Sequence, residues 1–245
     1  PDYDSYAATI GLCGARRVAV PLRPDATGRF GFDPDELRAA ISPRTKVRLL
    51  NSPHNPTGSV FTREELSLIA SLATDHDLTV VSDEVYEHLT YDGTAHIPIA
   101  TLPGMRERCV AISSAGKSFS VTGWKIGWVC APEPLLSQVN TVKQFLTYTH
   151  KPAMQQAVAY ALGNEMAWVA SLRLSLATAR DRLADGLERV GMLETRPQGT
   201  YFIQADIRPL GTADGNAFAR RLPYDAGVVG VPTSVFCDSA AGDPF

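Results

Sequence analysis

Four short apolar runs, Val47–Leu50, Leu78–Val81, Cys109–Ile112 and Ile126–Cys130, alternate along the chain with helical patterns and small-residue loops. Runs of that length bounded by turn residues fit strands buried on both faces. Their alternation with helices points to an α/β domain. The helices carry their own start signals. Asp33-Pro34-Asp35-Glu36 places an N-cap, a first-turn proline and an acid in order, and this helix is expected to stop near Ser42-Pro43. Thr62-Arg63-Glu64-Glu65 reads as a capping box, followed by Leu66, Ile69, Ala70 and Ala73 at helical spacing.

Further helices are expected from Pro132 to about Tyr148, from Pro152 to about Leu162, over Ala167–Val190 with Gly191 as C-cap, and near Asp214–Leu222. Val18–Val20, Tyr201–Ala205 and Val228–Val231 read as additional strands. A domain boundary is expected within the long helix, which divides the chain into 1–170 and 171–245.

With 44% hydrophobic and 20% charged residues the chain has the make-up of a globular protein rather than a disordered one. Its net charge of −3 gives no reason to expect nucleic acid or an anionic membrane as partner. No apolar run approaches the length of a membrane span. Cys13, Cys109, Cys130 and Cys237 are scattered without a Cys-x-x-Cys pair, and the five histidines lack ligand spacing. No metal site is therefore expected, and a reducing, cytoplasmic setting is the default.

Ligands in open α/β sheets bind where strand carboxyl ends meet loops. The residues at these ends are Asn55, Asp83 and Lys117. Lys117 lies in Ser113-Ser114-Ala115-Gly116-Lys117-Ser118, where small residues admit a bulky ligand. Hydroxyls there, with a second cation at Lys125, suit a phosphate. A lysine so placed can form an imine with an aldehyde. The set points to pyridoxal 5'-phosphate.

Each residue has a second reading. Asp83 could pair with a pyridine nitrogen or cap a helix. Asn55 and Tyr86 could donate to a phenolic oxygen, or be a turn asparagine and a packed tyrosine; the Asn55-Pro56 bond could be cis. Ser114 and Lys125 could hold phosphate, or be a loop residue and a rim charge. Tyr3 could stack on a flat ring, but by itself reads as packing.

Asn51-Ser52-Pro53-His54-Asn55-Pro56-Thr57-Gly58, Ser82-Asp83-Glu84-Val85-Tyr86, and Ser113-Ser114-Ala115-Gly116-Lys117 followed by Gly123-Trp124-Lys125-Ile126-Gly127 together resemble the fold type I, class I/II aminotransferases. Within that family the chain is similar to the kynurenine–glutamine transaminase-like branch. It is similar also to actinobacterial enzymes assigned as N-succinyldiaminopimelate aminotransferases, through Tyr3-Asp4-Ser5-Tyr6, Thr122-Gly123-Trp124-Lys125 and Val231–Cys237.

The resemblance implies a three-layer α/β/α large domain over 1–170, which binds pyridoxal phosphate, and part of a smaller α+β domain over 171–245. It makes Lys117 the Schiff-base lysine and Asp83 the pyridine partner. Asn55 and Tyr86 become ligands of the phenolic oxygen, Ser114 and Lys125 of the phosphate, and Tyr3 the stacking ring. Lys125 stands where many relatives carry arginine, which keeps the charge without the bidentate fork. Gly199–Phe202 and Val231–Ser234 are implied to line the substrate side, and read equally well as plain strand and turn. The family's phosphate loop falls before Pro1 and its carboxylate-gripping arginine after Phe245, so the chain is read as truncated at both ends.

The implied activity is transfer of an amino group between an amino acid and a 2-oxo acid by a cytoplasmic homodimer, with N-succinyl-diaminopimelate as the narrow expectation. A kynurenine, glutamine or methionine transaminase and a carbon–sulfur β-lyase are alternatives within the cofactor class. A pyridoxal-phosphate-sensing domain of a transcription regulator is the alternative outside it, and would need an upstream helix-turn-helix. No Gly-x-Gly-x-x-Gly follows a strand, which removes a nicotinamide-binding reading.

Overall fold

A computed structural model describes residues 1–238 and 242–245. In chain order the elements are α1 (Ser5–Leu12), β1 (Leu22–Pro24), β2 (Phe30–Phe32), α2 (Pro34–Ala39), β3 (Val47–Asn51), α3 (Arg63–Asp75), β4 (Thr79–Asp83), β5 (Cys109–Ser114), α4 (Ala115–Ser118), β6 (Gly127–Cys130), α5 (Glu133–Leu146), α6 (Pro152–Asn164), α7 (Met166–Arg189) and α8 (Gly215–Ala226). The chain forms two compact units. One comprises Ile41–His54 and Val60–Leu176; the other comprises Pro1–Ala40, Asn55–Ser59 and Ala177–Phe245.

The first unit holds a four-stranded sheet in the order β3-β4-β5-β6. β3, β4 and β5 run parallel, and β6 returns antiparallel. All four apolar runs of the sequence became these strands, each within a residue or two of its expected ends. α3 follows the capping-box signal: Glu65 N–H donates to Thr62 Oγ1, and Thr62 N–H donates to the Glu65 carboxylate. Its buried residues are Leu66, Ile69, Ala70 and Ala73, one stripe at 3.6-residue spacing. With Val80, Leu89, Ile99 and Met105 they form a core in which each large side chain contributes about 1.5–3 kcal/mol.

β5 and β6 are joined by the short helix α4 and a 3-10 turn over Thr122–Trp124. This connection is packed underneath by Ala115, Ile126 and Val158, with Phe119, Trp124, Trp128 and Met154 around them. At Gly127 a Cβ would lie 2.7 Å from the Ser113 carbonyl oxygen, so only glycine lets β6 approach β5 this closely beside Ser114.

In the second unit, β1 and β2 form an antiparallel hairpin, and Asp33 caps α2 by accepting from the backbone of Asp35 and Glu36. Those N–H groups, Glu36 first, hold the Asp33 carboxyl below its ordinary range. The strand expected at Val18–Val20 forms instead at Leu22–Pro24, where Phe30–Phe32 offers a partner edge. The two strands expected near the chain's end do not form. Ala205 makes one isolated bridge to Leu193, and residues 228–231 are irregular. Val228, Val229 and Val231 all lie exposed, and without a neighbouring edge among the described residues an apolar run has nothing to pair with.

The loop 55–59 is fastened within this unit. Gly199 N–H donates to the Gly58 carbonyl, Gln204 Nε2 donates to the Pro56 carbonyl, and Gln204 Oε1 accepts from Thr233 Oγ1. Gly58 has φ +71°, and a Cβ there would fall 2.3 Å from Pro197.

Candidate active site

The carboxyl ends of β4 and β5 lie side by side, with Asp83 opposite Ile112 in parallel register. From β4 the chain turns through Glu84–His88, and from β5 it passes through Ser114 into α4, which carries Lys117. The two segments meet: Lys117 Nζ lies 5.9 Å from the centroid of the Tyr86 ring, over its face. Tyr86 is 2% exposed and Lys117 half-buried, so the amine sits at the rim of the core rather than in bulk water.

Asp83 Oδ1 accepts from the Val85 N–H at 3.1 Å. The capping reading of Asp83 thus holds in part, but the carboxylate closes a turn and not a helix. Asn51 Nδ2 donates to the Asp83 carbonyl at 2.9 Å, and Ser52 N–H donates to the same oxygen at 3.1 Å, which fixes the end of β4 against β3.

Around Lys117 the backbone is tightly constrained. Thr122 Oγ1 donates to the Gly116 carbonyl at 3.1 Å, and a Cβ on Gly116 would meet Thr122 Cα at 3.2 Å. Ser114 is the extended residue before α4, and its hydroxyl makes no cap bond to that helix. Lys125 is exposed at φ +55°, directly after the 3-10 turn. Lys151 Nζ braces the same turn through the carbonyls of Gly123 and Trp124.

Of the residues singled out in the sequence, Asp83, Tyr86, Ser114, Lys117 and Lys125 share the sheet unit, on two neighbouring strand ends and the turn that follows. Asn55 and Tyr3 belong to the other unit. The Asn55–Pro56 bond is cis, as is Ser52–Pro53. Tyr3 is 40% exposed and packs edge-on against Tyr6 with ring centroids 5.5 Å apart. Gly199 and Thr233, named on the substrate side, are tied to loop 55–59, Gly199 directly and Thr233 through Gln204.

A network around Tyr86 escaped the sequence reading. Glu84 accepts from Ser82 Oγ at 2.8 Å and pairs with His96 Nε2 at 3.1 Å; the Glu84 side chain is 5% exposed and that of His96 7%. Glu87 Oε1 accepts from Ser113 Oγ at 2.6 Å. His96 Nδ1 is buried with no hydrogen-bond partner, so Nε2 is the nitrogen that donates to Glu84. Adjacency of Glu84 to Asp83 and of Glu87 to Tyr86 was the available signal; nothing in spacing could have called in His96 from twelve residues away. Burial, with the nearby Glu84 charge, pushes the Cys109 thiol on β5 up to about 12, which leaves it inert. His54 is driven down to about 3 by burial.

Comparison with known proteins gives a consistent answer. Residues 1–240 match the family described as aminotransferase class I and II. The chain is 51% identical to a probable N-succinyldiaminopimelate aminotransferase of Mycobacterium tuberculosis, covering 99% of this chain and 61% of that protein. It is 41% identical to mouse kynurenine–oxoglutarate transaminase 3, covering 100% of this chain and 59% of that one. The solved structure of N-succinyldiaminopimelate aminotransferase from Mycobacterium tuberculosis superposes with a TM-score of 0.96 at 49% identity, over 100% of this chain and 64% of that one. The chain thus spans about three-fifths of the length of these relatives. With strand ends, lysine turn and family match in agreement, the chain belongs to the class I and II aminotransferases.

Proposed function

We propose that the protein carrying this chain is a pyridoxal-phosphate-dependent aminotransferase, which moves an amino group between an amino acid and a 2-oxo acid. The observation that carries this reading is the Lys117 amine held over the buried Tyr86 ring, at the end of a strand adjacent to the one that ends in Asp83. The donor set fits the cofactor: an amine for its aldehyde, a carboxylate for its ring nitrogen, a phenol for its ring hydroxyl, and a hydroxyl and a cation for its phosphate. When bound, pyridoxal phosphate supplies an electron-withdrawing ring conjugated to the substrate's amino carbon.

Everything else falls to the chain. Lys117 would hold the cofactor through its aldehyde carbon and, when its amine is free, would take the proton from the substrate α-carbon as general base. Asp83 would keep a proton on the ring nitrogen through its negative charge. Tyr86 and Asn55 would donate to the phenolic oxygen, Ser114 and Lys125 would hold the phosphate, and Tyr3 would offer the stacking face. In functional terms 1–170 is the cofactor-binding domain and 171–245 part of the substrate-side domain. Homodimeric assembly and a cytoplasmic setting go with this reading. Among the described residues no helix is long and apolar enough to cross a membrane.

The narrow substrate reading is N-succinyl-diaminopimelate with 2-oxoglutarate, supported by 51% identity to a protein so named. Kynurenine is the second reading, supported by 41% identity to a kynurenine transaminase. Borohydride reduction of the full-length protein with pyridoxal phosphate, followed by peptide mass spectrometry, tests the cofactor reading. The modification is expected on Lys117 and should vanish in Lys117→Ala. Reduction onto another lysine, or none in the wild type, overturns it. A donor panel ranks the substrates, and a preference for kynurenine over N-succinyl-diaminopimelate would remove the narrow reading alone.

A further inference from the structure

We infer that Glu87 is a positioning residue: through its hydrogen bond with Ser113 it holds the Tyr86 turn against the Lys117 turn, and so sets the reactivity of the Lys117 amine. The inference rests on the assignment of Lys117 and Tyr86 made above, and deepens it.

Glu87 directly follows Tyr86, and Ser113 directly precedes Ser114, the residue that leads into α4. Their 2.6 Å hydrogen bond is therefore a cross-link set one residue from the buried phenol and four from the lysine. A hydroxyl donating to a carboxylate at that length is a charge-assisted bond, roughly twice as strong as a neutral one. The base of the turn is fixed separately. Glu84 N–H donates to the Ile112 carbonyl at 2.8 Å, and the Glu84 side chain is held by Ser82 and His96. Inside the turn, Glu87 N–H reaches only back to the Glu84 carbonyl, and Leu89 N–H to that of Tyr86. The link from Glu87 to Ser113 joins the far part of the turn to β5.

Burial separates the two acids. The Glu84 side chain is 5% exposed, as a structural anchor should be, and that of Glu87 is 22% exposed. Removing Glu87 leaves the buried Ser113 hydroxyl without this acceptor, and the double variant removes that cost with it, which separates geometry from stability. Glu84, Glu87 and His96 also present ligand atoms within 4.8 Å of one another, the spacing of a cation site. The Glu84 oxygens already accept from Ser82 and His96, and Glu87 Oε1 accepts from Ser113.

The test uses the full-length protein with Glu87→Ala, Glu87→Gln, Ser113→Ala and the Glu87→Ala/Ser113→Ala double variant. In the cofactor-free proteins, acylation of Lys117 relative to the exposed Lys46 is followed by mass spectrometry. In parallel, attachment of pyridoxal phosphate is followed by absorbance. Because misplacement of a reacting group by about 1 Å can cost ~100-fold, Glu87→Ala and Ser113→Ala should each change both rates by about tenfold. The double variant should be no worse than the worse single one. Glu87→Gln keeps an oxygen for the Ser113 hydroxyl and should stay within about threefold of wild type. Wild-type rates in Glu87→Ala and Ser113→Ala overturn the inference, and so does a Glu87→Gln as impaired as Glu87→Ala, because charge and not position would then be at work. Should Glu87→Ala fail to fold, Ser113→Ala decides. If pyridoxal phosphate never attaches to wild-type Lys117, the cofactor reading fails, and the acylation ratios still judge the positioning role by themselves.

Discussion

The sheet unit held four of the apolar runs and the unit with the chain's end three, yet the two folded by different rules. In the first, every run found a neighbour: β3, β4 and β5 lie in register, and α3 covers a stripe of buried side chains. In the second, Val228, Val229 and Val231 remain exposed, and loop 55–59 is fastened by single hydrogen bonds through Gly199 and Gln204 rather than by a ladder. Rigid, paired strand ends suit residues that must meet one atom of a ligand accurately. Irregular segments suit contacts that discriminate among substrates.

The largest expected contrast is chemical. Lys117→Ala should lower transamination at least ~1,000-fold with every amino donor, within the range attributed to general acid–base catalysis. Tyr201→Ala, on an exposed ring packed against Phe202 at 4.7 Å, should leave turnover with the best donor within about tenfold and alter the ranking of donors. Steady-state kinetics over a donor panel measures both. Equal losses across all donors in Tyr201→Ala would remove the substrate-side reading of Tyr201.

Stability gives the next contrast. Leu66→Ala, at a side chain 1% exposed, should cost about 2–5 kcal/mol in urea unfolding. Val229→Ala, at 81% exposure, should stay within about 0.5 kcal/mol. A loss at Val229 comparable to that at Leu66 would mean that residues 228–231 are packed in solution.

His54 and Glu194 should also answer acid in opposite directions. His54 ends the first segment of the sheet unit, and its folded value of about 3 lies below its ordinary 6.5. The unfolded chain then binds the extra proton, so stability is complete above pH 6.5 and is lost as pH falls from there toward 3, by as much as a few kcal/mol. In the other unit Glu194 is raised above its ordinary value by burial, then by Asp206. A raised carboxyl favours the folded state when protonated, so this contribution grows as pH falls and is lost as pH rises through the folded value. Hydrogen exchange at pH 7 and pH 5 should show the sheet unit losing more protection than the peptides around Glu194, and His54→Gln should flatten the difference.

What the sequence disclosed and what it hid follow the same division. Capping boxes, proline starts and apolar runs are local, and they located α2, α3, α5, α6, α7 and the four strands of the sheet. Asp83 was singled out at a strand end, and Tyr86 and Lys117 three residues beyond strand ends, but the sequence by itself left Asp83 and Tyr86 open between binding and structural readings. The ties among Ser82, Glu84, His96, Glu87 and Ser113 were not legible, because hydrogen bonds between side chains far apart in sequence leave no period or spacing. The strands expected at Tyr201–Ala205 and Val228–Val231 failed for the complementary reason: β-propensity records fitness for a pleated surface and does not supply the partner edge.

The smallest effect concerns the helix caps, and it separates the units by kind rather than by size. Thr62→Ala and Asp214→Ala each remove a side-chain oxygen that accepts from the first turn, at 3.2 Å from Glu65 N–H and 2.9 Å from Ala217 N–H, and each should cost about 1 kcal/mol. α3 is bound to the core through four buried residues, so a weakened start can be relieved only by unfolding the sheet unit, and the cost should register in the global transition. α8 has Gly215 as its sole buried residue, contains Pro223, and ends at Gly227 with φ +66°. Little tertiary packing opposes its opening, so the same loss should appear as faster amide exchange over Ala217–Arg221 with the global midpoint unmoved. A midpoint shift in Asp214→Ala equal to that in Thr62→Ala would show α8 to be as firmly coupled to a core as α3.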